Sequence, residues 1–183
     1  GFRPLVTVLV PAYNEGKVIA STIASLLESV YREIEIVVID DGSTDDTAEV
    51  VEGIAATERR VRCLRKPNGG KADAANHGLA HAHGSIVVAV DADTVIDRMA
   101  IHHLVSHFAD ASVTAVCGNV EVGNTHSPLT VFQAIEYVTS QNFDRRAFAA
   151  LNSVTVVPGA LGAWRREAVL AVGGYGHDTL TED

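Results

Sequence analysis

Short apolar runs alternate with longer amphipathic stretches along this chain. Leu5 to Val10, Ile34 to Ile39, Val61 to Leu64 and Ile86 to Val90 are nearly continuous runs of β-formers. Such runs read as strands buried on both faces. Between them, apolar residues recur at helical spacing. Val18, Ile19, Thr22, Ile23, Leu26 and Leu27 form one stripe in a helix expected over Glu15 to Val30. Further helices are expected over Asp45 to Ala56, Lys71 to His81 and Arg98 to Phe108. Then come a strand over Val113 to Val122, a long helix from Pro128 to about Leu151, a strand over Val154 to Val157 and a helix over Arg165 to Val172. Pro11 is expected to stop the first ladder, Asn14 to cap the first helix, and Ser43 or Thr44 to cap the second. The alternation predicts an α/β fold with a mostly parallel sheet and helices on both faces.

The polar residues fall where the apolar runs stop. The first strand runs into Pro11-Ala12-Tyr13-Asn14-Glu15, the second into Asp40-Asp41-Gly42-Ser43, and the Ile86 strand into Asp91-Ala92-Asp93-Thr94. Parallel strands put all three on one edge of the sheet, where α/β proteins bind ligands. Asp91 and Asp93, spaced i, i+2, would project to one side of an extended chain and repel each other. A divalent cation removes that conflict, and hard oxygen donors suit Mg²⁺ or Mn²⁺. Lys71 follows Gly69-Gly70 at a helix start, a place where phosphate oxygens are favoured. Together these features fit a nucleotide diphosphate.

With 183 residues the chain is expected to form a single domain over 1–183. It carries 14 Lys and Arg against 23 Asp and Glu, a formal net charge of -9, which argues against nucleic acid as partner. Cys63 and Cys117 lie in apolar runs and read as buried free thiols, which fits a reducing, cytoplasmic setting. No run approaches the ~18 apolar residues of a membrane span. The first strand begins almost at once and no closing helix follows Thr181-Glu182-Asp183, so a C-terminally truncated piece of a longer protein is expected.

VPAYNE, VIDDGSTD, NGGKADAANHG, VDADT, GALGAWRREA and the closing TED, in that order, resemble the family 2 glycosyltransferases of the GT-A fold. The similarity is greatest to processive synthases of the poly-N-acetylglucosamine, chitin and hyaluronan type. It implies a metal-dependent, inverting transfer of a sugar, N-acetylglucosamine being the expected one, from a UDP-sugar to a polysaccharide or oligosaccharide hydroxyl. It implies that Pro11, Ala12, Tyr13 and Glu15 line the uridine pocket, that Asp41 accepts the uracil N3–H, and that Lys71 lies near the nucleotide. Asp91, with Ala92 beside it, would face the ribose or sugar. Asp93 would bind the metal, Asp183 would be the general base, and the Gly159–Arg166 segment would wall the acceptor side. The family's processive members continue into a QxxRW-type motif and membrane helices, which this chain does not reach. The resemblance therefore places a soluble domain within a parent at the cytoplasmic face of the plasma membrane.

Three other readings compete. Asp91-Ala92-Asp93-Thr94-Val95 also fits a haloacid-dehalogenase-type phosphatase with Asp91 as nucleophile, although two βα units precede it here. A non-catalytic nucleotide-sugar-binding module would share most of the site. A nucleotidyltransferase should show a Gly-rich first turn with an arginine, which Pro11-Ala12-Tyr13 lacks. His77/His81 and His103/His107 have helical spacing without a zinc pattern and read as surface residues. Trp164 suits a core position or a sugar platform, and Arg165-Arg166 a solvated helix face. Gly118-Asn119 resembles the N-acetylglucosamine-using synthases but also an ordinary strand-end turn.

Overall fold

The computed structural model describes residues 1–118 and 161–176. Its elements alternate: β1 (Val6–Ala12), α1 (Ile19–Leu27), β2 (Ile34–Asp40), α2 (Thr47–Ala55), β3 (Val61–Arg65), α3 (Lys71–Ala80), β4 (Ile86–Val90), α4 (Ala100–His107), β5 (Ala115–Cys117), β6 (Leu161–Arg165) and α5 (Arg166–Ala171). The strands form one sheet in the order β3-β2-β1-β4-β6-β5. The first four run parallel, whereas β6 is antiparallel to β4 and β5 antiparallel to β6.

Strand alternation sorts the side chains into two cores. Val6, Val8 and Val10 of β1, Ile36 and Val38 of β2, and Ile86, Val88 and Val90 of β4 face α1 and α4, where Ile19, Ile23, Leu26, Ile101, Leu104 and Phe108 meet them. Leu9, Val37, Ile39 and Val87 face the other way, against Ala74 and Leu79 of α3 and Val169 of α5. Helices therefore cover both faces, as a parallel sheet requires. α3 lies so close that a Cβ on Gly78 would stand 2.6 Å from Ile39 Cδ1.

Several local expectations need correction. Pro11 does not end β1, because it stays in register with Ile39. The Ala12 carbonyl bonds toward β2, accepting from Asp41 N at 2.9 Å. Residue 11 therefore faces the β4 side, where pairing has already ceased at Leu9–Ala89, so its missing N–H leaves no gap. α1 spans Ile19–Leu27 rather than the expected Glu15 to Val30, and Asn14 does not cap it: its backbone sits at φ 58°. Ser43 and Thr44 do not cap α2 either. Asp45 takes the Thr47 amide at 3.0 Å and also its hydroxyl.

The segment Leu161–Arg165, for which the sequence predicts no strand, pairs with β4 along its length. Small residues hid it, since Gly162 and Ala163 carry little β signal and are selected by close packing. Arg165 is not on a solvated helix face. It donates to the carbonyls of Val113, Phe108 and Asp110 and lies 5.5 Å from the Phe108 ring centroid. Trp164 packs edge-on against Tyr175 in the second core, centroids 5.9 Å apart. The helix expected from Pro128, the strand at Val154 to Val157 and residue Asn119 lie outside the described residues.

Candidate functional site at the carboxyl edge of the sheet

Three loops converge at the carboxyl ends of β1, β2 and β4. The first two are laced together. Asn14 N donates to Ser43 Oγ at 2.9 Å, Thr44 N donates to Asn14 Oδ1 at 2.8 Å, and Glu15 N donates to Thr47 Oγ1 at 2.8 Å. The left-handed backbone at Asn14 lets its side chain reach across in this way. Gly16 N closes the seam on Asp45 Oδ2 at 3.1 Å. Ala12 is buried beside Asp40, its register partner, whereas Tyr13 is 49 % exposed and stands over the edge.

The Asp40-Asp41 pair is buried, and each acid has its own partners. Asp40 Oδ1 accepts from Ser43 N at 3.1 Å, which shapes the turn, and Asp40 Oδ2 lies 3.7 Å from Arg65 Nε. Asp41 meets Lys66 Nζ at 2.5 Å through Oδ1 and receives the Gly69 and Gly70 amides at 3.0 and 2.8 Å. Lys66 also reaches Asp73 Oδ2 at 2.6 Å and the Pro67 carbonyl at 2.6 Å. Burial works to lower its pKa, but the two carboxylates hold it above the usual lysine range. Sequence reasoning missed Lys66. The available signal was a lysine immediately before Pro67-Asn68-Gly69-Gly70, overshadowed by Lys71 after it. Gly69 and Gly70 of the same loop direct their amides at Asp41.

Asp91 and Asp93 stand in contrast. They are not on an extended chain, because Thr94 N donates to the Asp91 carbonyl at 3.0 Å and closes a turn. Ala92 is buried at the centre of that turn, and its carbonyl accepts from Thr22 Oγ1 of α1 at 2.7 Å. Asp91 is half-buried with Lys71 Nζ 2.9 Å from its Oδ1, and Asp93 is exposed. Glu15 feels both. Its carboxyl pKa is raised, first by burial and then by the charges of Asp93, Asp45 and Asp91. The sequence-predicted residues Pro11, Ala12, Tyr13, Glu15, Asp41, Lys71, Asp91, Ala92 and Asp93 thus share one edge. Asp183 lies outside the described residues, as do Gly159 and Ala160 of the segment expected to wall the acceptor side.

The donor set suits a hard divalent cation. Its ligands would be carboxylate oxygens, and the excess negative charge felt by Glu15 is what a cation would relieve. Among the described residues no three such side chains close into a ready-made cage.

A mixed sheet with this edge chemistry defines a GT-A glycosyltransferase fold, and solved structures agree. A mannosyltransferase from Pyrobaculum calidifontis, in complex with GDP-Man and Mn2+, superposes with a TM-score of 0.74 at 30% identity over 100% of this chain and 50% of that one. Staphylococcus aureus TarS in complex with UDP-GlcNAc has the same fold, with a TM-score of 0.67 at 20% identity over 91% of this chain and 47% of that one. The chain belongs to Glycosyl transferase family 2, whose pattern matches residues 7–173. It is 33% identical over 179 residues to the poly-beta-1,6-N-acetyl-D-glucosamine synthase of Staphylococcus aureus strain COL, covering 97% of this chain and 43% of that protein. The Staphylococcus epidermidis synthase of the same name is 32% identical over the same span. The chain therefore spans less than half the length of these curated relatives. Among the described residues no helix is long and apolar enough to cross a membrane.

Proposed function

We propose that this chain carries the donor site of an inverting hexosyltransferase that moves a sugar from a UDP-sugar to a hydroxyl of a growing polysaccharide. N-acetylglucosamine is the sugar we assign, on the strength of the synthases it resembles. The observation that carries the reading is the convergence of Asp41, Glu15, Asp91, Asp93 and Lys71 at one sheet edge. Membership of a glycosyltransferase family displaces the phosphatase reading of the Asp91 turn.

Each residue has a task in that scheme. Ala12 and Tyr13 flank the base, and Asp41 accepts its N3–H. Lys71, held by Asp91, supplies a cationic end 2.9 Å from that carboxylate, within reach of an incoming phosphate. Asp93, with Asp91 beside it, would hold Mg²⁺ or Mn²⁺. The bound ion would offset charge growing on the departing diphosphate. Asp183 would take the proton from the attacking acceptor hydroxyl, and in-line attack would invert the anomeric centre. We place the whole protein, as a membrane-associated synthase, at the cytoplasmic face of the plasma membrane.

Titration calorimetry of the chain with UDP, with and without Mn²⁺, tests this. Binding that requires the metal is the expected result, and no binding under either condition overturns the reading. In the whole protein, Asp183→Asn should abolish sugar transfer while leaving UDP binding intact. Transfer that survives the change would remove Asp183 from the mechanism, and an absence of transfer by the unaltered protein would favour a binding module.

A further inference from the structure

We infer that Lys66, by occupying one oxygen of Asp41, is a specificity-determining positioning residue that restricts the base pocket to uracil and excludes guanine. The inference rests on the donor-site reading above and extends it to nucleobase choice. The choice is a real one, because the fold accommodates GDP-Man in one relative and UDP-GlcNAc in another.

An ionised carboxylate offers about four lone-pair sites, two per oxygen. On Asp41 Oδ1 both are taken, by Lys66 Nζ at 2.5 Å and Gly69 N at 3.0 Å. On Oδ2 one is taken by Gly70 N at 2.8 Å, with Gly69 N a longer contact at 3.2 Å. One acceptor direction therefore remains, and it is on Oδ2. Uracil presents a single N–H at N3 between two carbonyls, which one free lone pair satisfies. Guanine presents N1–H and N2–H side by side and needs one acceptor on each oxygen. With Oδ1 filled, a guanine would leave a buried donor without a partner, a mismatch that discriminates strongly.

The arrangement is fixed from both sides. The three protons of Lys66 meet Asp41, Asp73 Oδ2 at 2.6 Å and the Pro67 carbonyl at 2.6 Å. Those partners fill the ammonium's donor capacity, so Lys66 has no proton to spare for phosphate. The loop that carries it is closely packed. A Cβ on Gly42 would stand 2.7 Å from Asn68 N, and one on Gly69 would stand 2.9 Å from Lys66 Nζ. Gly70 holds φ 89°, which aims its amide at Asp41.

The test is calorimetry of the chain with UDP and with GDP, each with Mn²⁺, on the unaltered protein, Lys66→Met and Lys66→Arg. The unaltered chain should favour UDP by roughly tenfold or more. Lys66→Met opens Oδ1, so UDP should weaken and the preference should shrink to within about threefold, while Lys66→Arg, which refills Oδ1, should restore it. Equal affinity for UDP and GDP in the unaltered chain overturns the inference without recourse to a variant. So does a folded Lys66→Met that keeps the full preference. An unaltered chain that binds neither nucleotide refutes the donor-site reading itself, and this inference with it.

Discussion

The carboxyl edge holds two acidic pairs that the protein treats in opposite ways. Asp40 and Asp41 are buried, and backbone amides, Lys66 and Arg65 occupy most of their acceptor sites. Asp91 and Asp93 are left half-open on a turn, with Lys71 on one of them and an acidic neighbour, Glu15, destabilised by both. The first pair is a finished receptor, with rigid geometry and little charge left to neutralise. The second is unfinished, with an excess of negative charge of the kind a divalent cation would offset. Rigidity therefore belongs to the pair that we propose reads the base, and openness to the pair that we propose holds the metal.

The largest effect should come from breaking the finished receptor. Asp41→Ala strands Lys66 and two inward-facing amides, and removing one partner of a buried pair costs about 3 kcal/mol. Urea unfolding should record that loss, and UDP binding should disappear with it. A variant as stable as the original would show that the Asp41 cluster is not the rigid element argued for here.

Asp93→Asn attacks the unfinished pair and should behave in the reverse manner. Its side chain is exposed, so the melting temperature should move by no more than about 2 °C. UDP binding should lose its response to Mn²⁺. Persistent metal dependence in that variant would transfer the ion to other oxygens and dissolve the contrast between the pairs.

The finished receptor was also the less legible part of the sequence. Apolar runs announced β1, β2, β3 and β4, and strand ends announced the edge, because a parallel sheet leaves few places for polar residues. The Asp91 turn was legible as acids after a strand. Lys66 was not, because its role depends on a loop folding back over β2, and no periodicity encodes that return. β6 escaped for a related reason. Leu161-Gly162-Ala163 is chosen to fit against β4, so small size replaced β propensity as the deciding property. Asn14 looked like a helix cap because its residue type suits one, but a cross-loop bond to Thr44 competes for the same side chain.

Glycines sharpen the comparison at smaller scale. Gly42 lies at φ 75° with Asn68 N where its Cβ would go, so Gly42→Ala should destabilise by about 1–2 kcal/mol from the backbone alone. Gly53, inside α2, meets nothing within 4 Å, and Gly53→Ala should stabilise by about 0.5–1 kcal/mol. Thermal unfolding of the two variants separates a glycine demanded by the receptor from one that the helix merely tolerates. The same sign for both would break the distinction.

A separate effect should lie at the far end of the strands, where Glu35 makes a polar cluster away from the carboxyl edge. It accepts from Thr7 Oγ1 at 2.6 Å and His83 N at 2.7 Å, and it meets His83 Nδ1 at 2.9 Å and Arg62 Nη2 at 3.1 Å. Burial pushes its pKa up, yet the hydrogen bonds from Thr7 and His83 and the charge of Arg62 outweigh that and leave it below the ordinary 4.5. A carboxyl depressed by folding contributes stability that is present above pH 4.5 and lost as pH falls through the folded value. Glu35→Gln should therefore be less stable than the original by about 1 kcal/mol at pH 7, with the gap closing below pH 4.5. Glu58, held at about 2 by Arg60, titrates alike in both proteins and drops out of the difference. UDP binding at pH 7 should be the same in each. A gap that persists at low pH would assign the cluster to packing rather than charge, and a loss of UDP affinity would join the two ends of the sheet.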